Sequence, residues 1–317
     1  MKAHDQQELL DQSAKAHAQL WSENLCRNFV YANALFAQYD ADLAALREKP
    51  GNNGPAIICG LGGSLDEAIE SVRDSGLALF CTPDHLDTLQ AYEMTPDFVT
   101  LAAATPDRLA LHKKPYRPDR TVLLTHPLAS PVEMGSWGAH AYFYAAHATN
   151  TDYLRILTMD VQRSAYEVIN SVAATGVRTY LSMAPGEYLQ QIVLALSIGF
   201  APLYLVGFDF CYRERGKKGA DGERSYQYQF TQYEKAASEW VEKPKQAGAP
   251  TSPMLDVDGL PTEQGHVVGK TWLLSQYATH GWPLVNASDG LLRGDEMPWT
   301  DPGSLAAGEA HRRALPV

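Results

Sequence analysis

Short apolar runs bounded by glycine, proline and polar residues alternate along this chain with stretches of helical spacing. The runs 56–59, 77–81, 96–101, 120–125 and 141–144 are short and bounded by breakers, which reads as buried strands. Residues 202–210 form a longer apolar run ending in Asp209 and Phe210, and 283–290 a final strand ending in a polar turn. Between them, Ser64 opens an amphipathic helix with Asp66 and Glu67 in its first turn, and a second helix is predicted over about 84–92. The helix over 185–199 is the clearest: Leu189, Ile192, Val193 and Leu196 make its stripe, Pro185 suits the first turn and Gly199 ends it. Residues 270–280 read as one more helix. Upstream, Leu9, Leu10, Ala14, Leu20, Trp21, Leu25, Phe29, Tyr31 and Leu35 recur at three- and four-residue steps, so 5–48 reads as helices. The breaker-rich loop 49–55 closes that region.

Strands and helices taking turns imply a parallel sheet with crossovers. The expected fold class is α/β: a Rossmann-like, doubly wound, mostly parallel sheet with an N-terminal helical segment. The expected division is 1–50 for the helical segment, 51–296 for a nucleotide-binding transferase domain, and 297–317 for a C-terminal tail. Residues 212–270 are polar and irregular, with Arg213, Arg215, Lys217, Lys218 and Arg224 near Tyr226, Tyr228 and Tyr233. A long insertion after a sheet strand reads as a lid, an acceptor-binding region or a plain loop.

A net charge of −11 opposes a broad electrostatic grip on nucleic acid. The densest basic stretch, Lys113, Lys114, Arg117 and Arg120, reads as a solvated loop. Cys26, Cys59, Cys81 and Cys211 show no CxxC spacing, which points to a reducing cytoplasm and no structural zinc. The polar N-terminal stretch has no signal-peptide core, and no run is long and apolar enough to span a bilayer. A cytoplasmic protein with no membrane span is expected.

Gly60, Leu61, Gly62, Gly63 and Ser64 join the first strand to the first helix. Glycines there let backbone N–H groups approach an anion, and the helix N-terminus adds a favourable field. The same glycines also suit a plain tight turn. Position 65 is leucine, so the third glycine of the dinucleotide fingerprint is missing and a mononucleotide is the better ligand. The turn formed by Pro185, Gly186 and Glu187 offers further backbone donors. Thr82, Asn286, Ser288 and Asp289 sit at strand ends on one rim and are candidates for the base and ribose, and Gly207 is a further nucleotide-binding candidate. Asp209, at the carboxyl end of a buried strand, lies where open α/β sheets bind ligands, with capping of the next turn as its structural alternative. Tyr212 and Arg213 follow it and suit a leaving phosphate. For a general base, histidine is the natural choice near neutral pH: His126 follows the 121–125 strand, and His266 lies between Asp209 and Asn286. His85 marks a helix start.

Four stretches together resemble the domain shared by motility-associated-factor glycosyltransferases and archaeal 6-hydroxymethylpterin diphosphokinases (MptE-like proteins). The Gly-Leu-Gly-Gly-Ser-Leu run at 60–65 is similar to that family's Gly-x-Gly-Pro-Ser-Leu loop, and Pro-Asp-Phe-Val at 96–99 to its Pro-Asp-(aromatic)-Val strand. The block 199–209 and the closing Val-Asn-Ala-Ser-Asp-Gly at 285–290 resemble its remaining motifs. The stretch 185–212 is also similar to bacterial CMP-sialic-acid-dependent sialyltransferases, which place a histidine after the corresponding block; that likeness is what favours His266. Two positions depart from the pattern: Gly63 replaces the loop proline, and Ala102, Ala103 and Ala104 stand where a carboxylate is expected.

The resemblance implies a transferase using a nucleotide-activated donor. The vacant carboxylate favours metal-independent, sialyltransferase-like glycosyl transfer, with the nucleotide sugar as substrate and no cofactor. The alternative is an MptE-like pyrophosphokinase using Mg-ATP, with Asp97, Asp209 and Asp289 as its carboxylates. A third is a nucleotide-binding protein without catalysis. The acceptor and the oligomeric state stay open.

Overall fold

The computed structural model describes residues 19–29, 32–36, 41–49, 51–102, 120–137, 140–147, 175–182, 184–215, 225–227, 229–236, 238–242, 255–294 and 297–308. Leu9, Leu10, Ala14, Tyr31, Ala103, Ala104, Lys113, Lys114, Arg117, Lys217, Lys218, Arg224 and Tyr228 lie outside the described residues.

The strands are β1 (Ala56–Cys59), β2 (Ala78–Cys81), β3 (Phe98–Leu101), β4 (Val122–Thr125), β5 (Ala141–Phe143), β6 (Ala145–His147), β7 (Tyr180–Ser182), β8 (Leu203–Val206), β9 (Arg213–Arg215), β10 (Ser225–Gln227), β11 (Tyr233–Ala236), β12 (Glu239–Glu242), β13 (Leu255–Val257), β14 (Leu260–Thr262) and β15 (Leu284–Asn286). The helices are α1 (Ser64–Ser75), α2 (Leu86–Ala91), α3 (Pro131–Trp137), α4 (Glu187–Ile198) and α5 (Gln264–His280), after helical residues 19–29 and 32–36.

A 7-stranded sheet runs in the order β15-β8-β1-β2-β3-β4-β5, and β15–β8, β8–β1, β1–β2 and β4–β5 all pair parallel. This is the α/β, Rossmann-like doubly wound fold that the alternation implies. Every residue of β1 is buried, as a strand covered on both faces requires. Strand order runs one way from β1 to β5 and the other way from β1 to β8 and β15. The order therefore reverses between β1 and β8, the switch point at which such sheets open a crevice.

By internal contacts the chain forms two compact units, residues 1–52 with 99–198 and residues 53–98 with 199–317. This differs from the expected division at 50/51 and 296/297, and the first unit supplies the reason. Asn24 and Asn28 of the N-terminal helix are buried, and their amides donate to the carbonyls of Leu128 (3.0 Å), Pro127 (2.9 Å) and Ala129 (2.8 Å), just after β4. Asp42, also buried, accepts from the amides of Ala44 (3.0 Å), Arg178 (2.6 Å) and Thr179 (3.0 Å) and from the Thr179 hydroxyl. The N-terminal stretch is stitched to residues far along the chain.

In the second unit, α1 follows β1 and buries Leu65, Ala68, Ile69 and Val72. The expected irregular insertion is more ordered: β9–β10, β11–β12 and β13–β14 are antiparallel pairs. The helix expected from Lys270 begins a turn and a half earlier, at Gln264.

Candidate functional site

At the switch point, the turns after β1 and β8 pass in backbone contact. Gly60 N–H donates to the Val206 carbonyl at 2.7 Å and Gly62 N–H to the Gly207 carbonyl at 2.6 Å. A Cβ on Gly60 would stand 2.8 Å from the Phe208 ring, and one on Gly62 would stand 2.6 Å from the Asp209 carboxyl carbon. Both glycines are there because nothing larger fits between the turns.

Asp209 is 1% exposed, and its carboxylate fills the N-terminus of α1. One oxygen accepts the Ser64 N–H at 2.8 Å and the other the Ser64 hydroxyl. An internal anion thus holds the position a ligand phosphate was expected to take, and the helix field stabilises it there. This corrects two expectations. The amides of Gly60, Gly62 and Ser64 bond within the chain, and Asp209 is a buried cap of α1 in place of an open catalytic carboxylate.

The rest of this turn is equally engaged. Leu61 O accepts the Phe230 N–H at 3.1 Å, Gly63 O accepts the Asp66 N–H at 3.1 Å, and Gly60 O lies 2.9 Å from His85 Nε2. The other nitrogen of His85 takes the Thr82 N–H at 3.2 Å and meets the Thr82 hydroxyl at 3.0 Å, so Nε2 carries the proton toward Gly60. Thr82, expected near a nucleotide, is thereby buried against His85. Burial holds the His85 pKa below the ordinary histidine value. Phe230 stacks on that imidazole at 4.6 Å, and Asp66 accepts the Thr231 N–H and hydroxyl.

The end of β15 is tied to the same turns. Ser288 Oγ accepts the Phe208 N–H and donates to the Leu205 carbonyl, both at 2.8 Å. Gly207, expected to face a nucleotide, instead meets the β1 turn through its carbonyl. Asn286 is fully buried; its Oδ1 accepts the Ser288 N–H at 2.8 Å, and its Nδ2 has no hydrogen-bond partner among the described residues. Asp289 pairs with Arg293 at 2.9 Å, and the Arg293 guanidinium lies 4.8 Å over Trp299.

Beyond Asp209 the chain passes through Phe210 at φ +53°, an uncommon conformation for a bulky residue. Its carbonyl accepts the Thr262 hydroxyl at 2.6 Å, and Tyr212 N–H donates to Pro261 O at 2.7 Å. These bonds lay Tyr212 along β14. Its hydroxyl donates to the Glu263 carboxylate. Glu263 precedes α5, and its carbonyl accepts the His266 N–H at 3.0 Å. The His266 ring stands 5.7 Å from the Tyr212 ring. Burial pushes the His266 pKa down, and the Glu263 charge pulls it back up. Two residues expected separately, Tyr212 and His266, are brought together by a third, Glu263, that sequence reasoning passed over.

The remaining candidates belong to the first unit. His126 Nδ1 accepts the Leu128 N–H at 3.2 Å, so Nε2 is protonated and donates to the Ala102 carbonyl at 2.9 Å. Burial pushes its pKa down to about 4. With both nitrogens engaged and the neutral form favoured, His126 is a structural imidazole and the general-base expectation is corrected. Glu187 accepts the Ala102 N–H, so the residue standing in the vacant acidic position anchors two side chains through its backbone. Gly186 O accepts the N–H groups of Leu189 (3.2 Å) and Gln190 (3.0 Å), opening α4. Tyr144, fully buried against His126 at 5.6 Å between rings, has no partner for its hydroxyl among the described residues; burial and the Glu187 charge raise its pKa.

Among solved structures, the chain is similar to one described as the MAf glycosyltransferase from Magnetospirillum magneticum AMB-1. The identity is 16% and the TM-score 0.47, over 88% of this chain and 41% of that one. The chain thus spans about two fifths of that structure's length. No protein-family model matches the chain, and no curated protein matches it.

Among the described residues, no three carboxylate, imidazole or thiol side chains gather to hold a metal ion, and no helix is long and apolar enough to cross a membrane. Glu263 and Tyr144 are the residues sequence reasoning missed. Glu263 carried one usable signal, an acidic residue three before a histidine; Tyr144 carried none beyond its place at the end of an apolar strand.

Proposed function

We propose that the chain is a transferase acting on a nucleotide-activated donor, and that it moves a glycosyl group without a metal ion, in the manner of the sialyltransferase-like families its motifs resemble. The observation that carries this reading is the meeting of Tyr212, Glu263 and His266 just beyond β8. A half-buried imidazole beside a carboxylate suits the base that takes the acceptor hydroxyl's proton. A tyrosine hydroxyl suits the departing phosphate oxygen. The Nδ2 of buried Asn286, without a partner among the described residues, adds a donor for the nucleotide. The donor's phosphates are not assigned to the glycine turn, whose N-terminus Asp209 occupies.

The test is a thermal-shift panel of CMP, CDP, UDP, GDP and ATP, each with and without Mg²⁺. The expected result is a metal-independent rise with a sugar-nucleotide product such as CMP. A rise confined to Mg-ATP would replace glycosyl transfer with pyrophosphoryl transfer. No shift anywhere in the panel would overturn nucleotide binding.

A further inference from the structure

Two elements of the second unit meet here: the segment after β8, which brings Tyr212, and the start of α5, which brings Glu263 at its N-cap and His266 in its first turn. Tyr212 is 4% exposed; its hydroxyl donates to the Glu263 carboxylate, and the His266 ring stands 5.7 Å from its own ring. The Nδ1 atom of His266 is buried. Lys270 follows one turn later on the same helix.

We infer that Glu263 is the positioning residue of this site, fixing the Tyr212 hydroxyl and stabilising the imidazolium that His266 becomes when it accepts a proton. The inference rests on the transferase reading for its chemical purpose, while its geometry stands apart from any substrate. In the step it serves, the acceptor O–H bond breaks and its proton passes to His266. The oxygen's electron pair forms the new bond to the donor's sugar carbon, and the bond from that carbon to the phosphate oxygen breaks, its electrons leaving with the nucleotide. A carboxylate beside the imidazole makes the proton-accepting form more basic than burial alone allows. The arrangement follows the logic in which a base is oriented by a third group, here placed one helical turn before it.

The test needs no substrate. In the full chain, the His266 resonances are assigned by their loss in His266→Gln and followed by NMR across pH in Glu263→Gln and Tyr212→Phe. Glutamine keeps an acceptor for the Tyr212 hydroxyl but removes the charge, so His266 should titrate at lower pH in Glu263→Gln. Tyr212→Phe releases the carboxylate from its hydroxyl donor, so there His266 should titrate at higher pH. Opposite displacements are a signature that a residue acting only in packing does not produce. An unchanged His266 titration in both folded variants overturns the inference. Failure of the nucleotide panel with both displacements intact would overturn the transferase reading and leave the positioning role standing. If Glu263→Gln does not fold, Tyr212→Phe alone decides by its direction.

Discussion

Asp209 shows how one residue type in one place supports two incompatible readings. A carboxylate at the carboxyl end of a buried strand marks a ligand crevice in an open α/β sheet, and that is how its position reads from sequence. What the residue string does not carry is the neighbouring turn, 145 residues away, whose helix N-terminus needs an anion. The two glycines that looked like a phosphate cradle are small because that carboxylate and the β8 turn press against them. The consequence is a stability effect in place of a purely catalytic one. Asp209→Asn keeps the shape and loses a charged acceptor for the Ser64 amide and hydroxyl, which is worth about 1–3 kcal/mol at a buried site. Urea unfolding should show a lower midpoint with an unchanged slope. A stability equal to wild type would mean the cap contributes nothing.

At the scale of elements, legibility follows burial. The strands β1, β2, β3, β4, β5 and β8 are apolar because they are covered, and each lies inside the run that predicted it. The run ending at Phe210 stops earlier as a strand, because Gly207 turns at φ +79° to meet the β1 turn. By contrast β11 and β12 are exposed along most of their length and β13 is largely so, and they leave no alternating signal. Helix α5 buries only Gly269 and Leu273, so its first turn, with His266, carries no stripe that would extend the helix expected over 270–280. One segment of the insertion does show a packed anchor: Phe230 is 2% exposed on His85, and Thr231 and Tyr233 engage Asp66 and Tyr92. Phe230→Ala should lower stability by about 3 kcal/mol, the usual loss for a large aromatic removed from a core. Chemical denaturation measures it. A change under about 0.5 kcal/mol, typical of a surface site, would show that the segment is only resting there.

For the whole molecule, acid is the sharpest probe, because each unit contains a histidine held neutral by burial: His126 in the first and His85 in the second. The sign is fixed by which state binds more protons. His126 titrates at about 4 when folded and near the ordinary 6.5 when unfolded. Between those values the unfolded chain takes up a proton that the folded chain refuses. Stability is therefore full above about pH 6.5 and declines as pH falls toward 4. From pH 7.5 to 5.0 this one residue should remove about 2 kcal/mol. His85 acts in the same direction, whereas the net charge of −11 shrinks over this range and relieves self-repulsion, which opposes the loss. Comparing wild type with His126→Gln cancels those shared contributions. Urea unfolding at the two pH values should show the variant losing about 2 kcal/mol less than wild type over the interval, whatever the substitution costs at pH 7.5. Equal losses in the two proteins would mean that the imidazole is not held neutral between Leu128 and Ala102, and would restore His126 as a candidate for proton transfer.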